Sequence, residues 1–207
     1  MRPLPRVHAF TDHAIMSAPD FGIRAAAIAA GGAAVALHAR DRGGPDIRLT
    51  AGTHRMITLA RPPEAAVFVS GRPDIAAATG AHGVQLGARD LAPADARRVL
   101  HQGWIGRSVH SLEEARAAVQ EGADFLVLGN IYETPSHPGR SALGTGTLRA
   151  AASLGPPVIA IGGVTAERAS ELKAAGAYGV AAIRALWDAN DPATATLSLL
   201  APWVEAT

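Results

Sequence analysis

A closed eight-stranded α/β barrel is predicted by three features of the sequence taken together. Short runs rich in Val, Ile and Leu recur along the chain, each ending in a polar residue or glycine, as strands buried on both faces do. Stretches with helical spacing separate these runs, the alternation expected of a parallel sheet with helical crossovers. Eight such units fit within 207 residues, which favours closure into a barrel over an open sheet. The expected fold is a (β/α)8 TIM barrel, one domain over residues 1–207, at the short end of that fold's size range.

Taken in order, the first four strands are expected at Val7–Thr11, Ala34–Arg40, Val67–Ser70 and Gly83–Leu86. The other four follow at Trp104–Ser108, Phe125–Gly129, Val158–Ile161 and Gly179–Ile183. The stretch after the second strand, Pro45–Leu59, carries little periodicity and reads as a loop holding a short helix. Ser111–Glu121 opens with Ser111-Leu-Glu-Glu114, a capping box whose hydroxyl accepts from a first-turn amide while Glu114 reaches back. Thr165–Ala175 starts in a similar way, with Glu167 in the positively polarised first turn. Gly122 and Gly176 stand where these helices should end, because a left-handed terminal residue costs glycine little.

Composition narrows the function classes. Hydrophobic residues make up 48% of the chain, which excludes disorder. The formal net charge is only +1 with no run of like charge, so neither a nucleic-acid surface nor a membrane surface is expected. Cysteine is absent, which removes disulfides, thiolate nucleophiles and thiolate metal ligands. The N-terminal MRPLPRVHAF lacks the apolar stretch of a secretory signal, and the chain reads as cytoplasmic.

In barrels of this kind the C-terminal strand ends and the loops after them face the active site. That rule selects His38, Arg40 and Arg42, then Ser70–Arg72, Gln85–Asp90 and Ser108–His110. It also selects the loop Asn130–Gly144, Gly162–Gly163 and Arg184. Alternation puts Arg40 and Arg42 on one inward face. The strongest local signal is Ile159-Ala-Ile-Gly-Gly-Val-Thr165 with Gly179-Val-Ala-Ala-Ile-Arg184. Gly162 and Gly163 would let backbone amides approach a phosphate, with Ile183 and Arg184 adding donors after the eighth strand. His8, His13, His54, His82 and His101 show no ligand spacing, so no metal site is expected among them. Trp104, Trp187 and Trp203 read as packing residues.

The motifs His8-Ala-Phe-Thr-Asp12, His38-Ala-Arg-Asp-Arg42, Gly83-Val-Gln-Leu-Gly87 and Ile105-Gly-Arg-Ser-Val-His-Ser-Leu-Glu-Glu-Ala115 resemble the thiamine phosphate synthase and thiazole tautomerase (TenI-like) superfamily. Gly122-Ala-Asp-Phe-Leu-Val-Leu-Gly129, Tyr132-Glu-Thr134 and Ile159–Thr165 extend that resemblance over nearly the whole chain, in order. Departures from the synthase pattern draw the chain toward the TenI-like branch. Histidine stands at position 38 in place of the glutamine of the synthase pattern, Ser70-Gly71 in place of an Asn-Asp pair, and His137 in place of a lysine. Asp90 is then the one kept metal-binding carboxylate, relevant only to a Mg2+-dependent synthase.

What the resemblance implies is a barrel of thiamine biosynthesis that binds a small phosphorylated thiazole, first as a tautomerase catalysing a 1,3-proton shift without a cofactor. Such a shift needs one group to remove a proton and one to return it. The family's histidine position is occupied here by Asn130, an amide that cannot serve as a base, leaving His38, Glu133 and His137 as candidates. Arg40, Arg42, Ser108, His110, Thr134 and Ser136 would contact substrate, and Gly162, Gly163, Ile183 and Arg184 would hold the phosphate. The alternatives are the synthase, which couples a pyrimidine diphosphate to the thiazole phosphate with Mg2+, and a non-catalytic regulatory barrel. A homo-oligomer is a further expectation from the resemblance.

Overall fold

The computed structural model describes residues 2–61, 64–134 and 141–204. Eight parallel strands form where the apolar runs predict them: β1 Val7–Phe10, β2 Val35–Ala39, β3 Ala66–Ser70, β4 Gly83–Leu86, β5 Trp104–Val109, β6 Phe125–Gly129, β7 Val158–Ile161 and β8 Gly179–Ala182. They pair in chain order, and β8 closes onto β1 through Val7↔Val180 and His8↔Ala181. The helices are α1 His13–Ser17, α2 Phe21–Ala29, α3 Asp46–Leu59, α4 Pro73–Thr79 and α5 Pro93–Val99, then α6 Leu112–Gln120, α7 Gly144–Ala152, α8 Ala166–Ala174, α9 Arg184–Trp187 and α10 Pro192–Leu200. Among the described residues, no helix is long and apolar enough to cross a membrane.

Period-two alternation along each strand divides the core into two layers. Outward residues such as Val7, Leu37, Val67, Val84, Leu126 and Val180 pack under the helices. Inward residues, among them Phe10, Phe68, Phe125, Val127 and Ile159, fill the barrel. The first residues cross its N-terminal end: the Trp104 indole donates to the Arg2 carbonyl at 3.1 Å and the Tyr178 hydroxyl to the Leu4 carbonyl at 2.8 Å.

Gly106, inward on β5, faces the Phe125 ring so closely that a Cβ there would collide with it. Phe125 is fully buried, so the ring has no room to yield. Gly106→Ala is expected to destabilise the fold by about 1–3 kcal/mol, the usual cost of overpacking. Urea unfolding against the parent chain measures it, and an unchanged midpoint would contradict the packing argument.

The structure corrects the expectation for Pro45–Leu59, which is not a loop with a short helix. Asp46–Leu59 forms a 14-residue helix. Its buried positions, Leu49, Thr53 and Met56, recur at helical spacing, but one of the three is polar and the stripe is too thin to register as periodicity. Thr53 satisfies its hydroxyl internally, donating to the Leu49 carbonyl at 2.7 Å. The start of α6 is also refined. The Glu114 amide donates to the Ser111 hydroxyl at 3.0 Å as the capping box requires, but the Glu114 carboxylate takes the His110 amide, at 2.7 Å. Thr165 caps α8 by position without a side-chain bond to the helix backbone.

Candidate active site

Arg40 and Arg42 stand where β2 runs out at the C-terminal mouth, Arg40 half-buried and Arg42 exposed. The residue between them does not neutralise either one. Asp41 turns away into the loop, where its buried carboxylate takes His13 Nδ1 at 2.9 Å and Arg48 Nε at 3.5 Å. Among the described residues neither Arg40 nor Arg42 forms a salt bridge, and Arg40 is steadied through its backbone amide by the Thr11 hydroxyl at 2.9 Å. Burial first, and the Arg42 charge second, lower the pKa of Arg40, while Asp12 acts the other way. Two guanidiniums close enough to interact, with neither in a salt bridge among the described residues, set up a positive potential that a multiply charged anion relieves.

His38 shares the inward face of Arg40 as expected, but it lies deeper than the mouth. It pairs across the sheet with Phe10 and Phe68, stacks on both rings at centroid distances of 3.9 and 4.9 Å, and is fully buried. Its Nε2 lies 2.8 Å from Nδ1 of His8, whose Nε2 lies 3.1 Å from the Pro5 carbonyl. A carbonyl only accepts, so His8 carries its proton on Nε2, and its Nδ1 accepts a hydrogen bond from His38 Nε2–H. Among the described residues, His38 Nδ1 is a buried acceptor without a partner. Burial pushes the His8 pKa down to about 4 and that of His38 well below 6.5. His8, set aside in the sequence because it lacks ligand spacing, is thus half of an internal pair; histidines at inward positions of adjacent strands were the available signal.

Toward β4 and β5, Gln85 Nε2 donates to the Ser108 hydroxyl at 2.5 Å and to the Leu86 carbonyl at 2.9 Å. Ser108 is half-buried at the mouth, and the exposed His110 donates from Nδ1 to the Gly129 carbonyl. Asn130 is buried at the end of β6, donating from Nδ2 to the Tyr132 carbonyl at 3.3 Å, so its amide holds the loop. Glu133 is exposed and Thr134 half-buried beside it. Ser136 and His137 lie outside the described residues.

The Gly162–Gly163 turn is built by left-handed backbone, with φ of +98° and +64°. It is also packed against the loop after β6: a Cβ on Gly162 would lie 2.5 Å from Asn130 Cβ, and one on Gly163 2.7 Å from Tyr132 Cβ. The Gly162 carbonyl accepts from the Tyr132 amide at 3.1 Å and the Gly163 carbonyl from Arg168 Nη1 at 2.6 Å. Both carbonyls are held by groups packed on the loop after β6, Arg168 lying over the Tyr132 ring. A trans peptide points its N–H opposite to its C=O, so the Gly163 and Val164 amides point away from those partners. Consecutive amides on one side of such a turn make an anion-binding concavity. Arg184 is exposed and reaches sideways to Asp12 at 3.3 Å and Asp188 at 3.4 Å.

A divalent cation, which the synthase alternative implies, finds only part of a donor set. Asp90 Oδ2 accepts the Gly87 amide at 2.6 Å, and the carboxylate packs over Gly71, where a Cβ would lie 3.0 Å away. Among the described residues, no three His, Cys, Asp or Glu come together to hold an ion. These residues do not fit a magnesium centre built by the protein alone.

A family model described as thiamine monophosphate synthase matches residues 7–186. A thiamine-phosphate synthase of Thermus thermophilus is 42% identical over 176 residues, 84% of each chain. One from Halorhodospira halophila is 36% identical over 188 residues, covering 89% of this chain and 90% of the relative. Among solved structures, a thiamine phosphate pyrophosphorylase from Pyrococcus furiosus superposes with a TM-score of 0.80 at 31% identity, over 95% of this chain and 94% of that one. These relatives overturn the isomerase expectation. The substitutions at positions 38, 70, 71 and 137 pointed to a tautomerase, yet curated chains 36–42% identical over most of their length are named as synthases, which are transferases.

Proposed function

The chain belongs to the thiamine monophosphate synthase family, and from that premise we propose that it is a cytoplasmic transferase joining a pyrimidine diphosphate to a thiazole phosphate. The methylene carbon on the pyrimidine loses its bond to the diphosphate oxygen, which departs with the electron pair. The thiazole nitrogen supplies the pair for the new carbon–nitrogen bond. Charge grows on the leaving diphosphate as the bond breaks, and a fixed cation at that place lowers the barrier.

The observation that carries this reading is the Arg40–Arg42 pair, two guanidiniums at the mouth without a salt bridge among the described residues. Arg42 extends toward the β4 loop, where a Cβ on Gly87 would lie 3.6 Å from Arg42 Nη2 and 3.2 Å from Asp90 Oδ2. Two guanidiniums at one end of the mouth offer a diphosphate one cation for each phosphoryl group. The thiazole's phosphate goes to the Gly162–Gly163 turn, beside Ile183 and Arg184, across the mouth. Ser108, His110 and Thr134, at the ends of β5 and β6, stand between the two. No proton shuttle is needed from Asn130 or Glu133 in this reaction, and the Asn130 amide holds the loop after β6.

Incubation of the purified protein with both substrates and Mg2+ is expected to release thiamine phosphate and diphosphate in equal amounts, read by oxidation of the product to its fluorescent thiochrome. Absence of both products would sink the reading.

A further inference from the structure

Arg168, in the first turn of α8, meets the phosphate turn and the loop after β6 at once. Its Nη1 donates to the Gly163 carbonyl at 2.6 Å, and its guanidinium carbon lies 4.3 Å over the centre of the Tyr132 ring. One turn further along α8, Glu171 accepts the Tyr132 hydroxyl at 2.8 Å. Tyr132 is therefore gripped by its face and by its hydroxyl from a single helix, while its own amide holds the Gly162 carbonyl at 3.1 Å. The space is closed as well: a Cβ on Gly163 would lie 2.7 Å from Tyr132 Cβ, 2.9 Å from the Glu133 carbonyl and 3.2 Å from Arg168 Nη1.

An unpinned Gly163–Val164 peptide could rotate, since glycine tolerates either hand of backbone, and would then turn a carbonyl toward the anion. We propose that Arg168 is a positioning residue for phosphate recognition: by holding the Gly163 carbonyl on the β6 side, it keeps the amide of the same peptide aimed at the ligand. Through Tyr132 it also sets the loop after β6 against that turn. Arg168 touches no substrate in this arrangement; it acts through the backbone. Burial and the Glu171 contact push the Tyr132 hydroxyl up to about 12, so it remains a donor to Glu171 at any physiological pH. The inference rests on the reading that the Gly162–Gly163 turn takes the thiazole's phosphate.

Calorimetric titration of the full chain with the thiazole phosphate and with the corresponding thiazole alcohol separates the two. The parent chain is expected to prefer the phosphate ester strongly. In Arg168→Met, which keeps an apolar stem over Tyr132, that preference is expected to fall about tenfold, the worth of roughly one hydrogen bond to an anion. Affinity for the alcohol should stay within twofold, and Arg168→Lys should recover most of the loss because its ammonium still reaches a carbonyl. An unchanged preference in Arg168→Met, or an equal loss for both ligands, would overturn the positioning role while leaving the phosphate turn in place. A parent chain that binds alcohol and ester alike would overturn both.

Discussion

Arg40→Ala is expected to lower kcat/KM for the coupling reaction by about 10²–10³-fold, the loss typical of removing one preorganised charge from a transition state. Most of the loss should appear in kcat, because the charge on the leaving diphosphate is greatest as the carbon–oxygen bond breaks. Arg40 carries this effect because its charge is costly to keep: burial and Arg42 both lower its pKa, and Asp41, the nearest carboxylate in sequence, is committed to His13 and Arg48. A cation without a salt bridge among the described residues, its Nη1 donating to the Thr11 carbonyl at 3.4 Å, gains a full charge partner when an anion arrives. Arg40→Lys should recover only part of the rate, since an ammonium cannot engage two phosphoryl oxygens side by side. Steady-state kinetics with each substrate varied in turn measure the effect. A change confined to the KM of the thiazole phosphate would place Arg40 at the wrong end of the site.

Acidification is expected to weaken the fold through the buried His8–His38 pair. His8 titrates at about 4 when folded and near 6.5 when unfolded, so between those values the unfolded chain binds the extra proton. The stability contributed by a neutral His8 is therefore complete above about pH 6.5 and drains away as pH falls toward 4. The shift corresponds to about 3 kcal/mol lost at pH 4. His38, also buried and lowered, acts in the same direction. Urea unfolding at pH 7, 5.5 and 4.5 reads the effect directly, with His8→Leu/His38→Leu as the comparison. The slope with pH should flatten in the double variant, and an equal slope in both chains would remove the pair as its cause.

Much of the barrel could be read in advance because its strands are buried on both faces. Burial on both faces writes an uninterrupted apolar run into the chain, as in Phe125–Gly129 and Val158–Ile161, and such runs need no partner to be recognised. Helix α3 was missed for the converse reason, since Thr53 occupies one of its three buried positions. Alternation correctly put His38 and Arg40 on one face but carried no information on depth. Depth follows from register, and Phe10↔His38↔Phe68 seals the histidine inside the barrel. Motif substitutions misled the choice of reaction. A change such as Ser70-Gly71 is local, whereas the similarity to synthases extends over most of the chain.

The sequence by itself determined the eight strands, and with them the barrel, and the shared face of His38 and Arg40, because each of these follows from periodicity within its own segment. Only the tertiary structure decided which groups meet. His8 finds His38 across 30 residues, and Arg168 closes on Gly163 and Tyr132 across the gap between β6 and α8. Hydrophobic pattern selects the face that is buried, while hydrogen bonds are directional and short, so strand register and helix placement settle those partners.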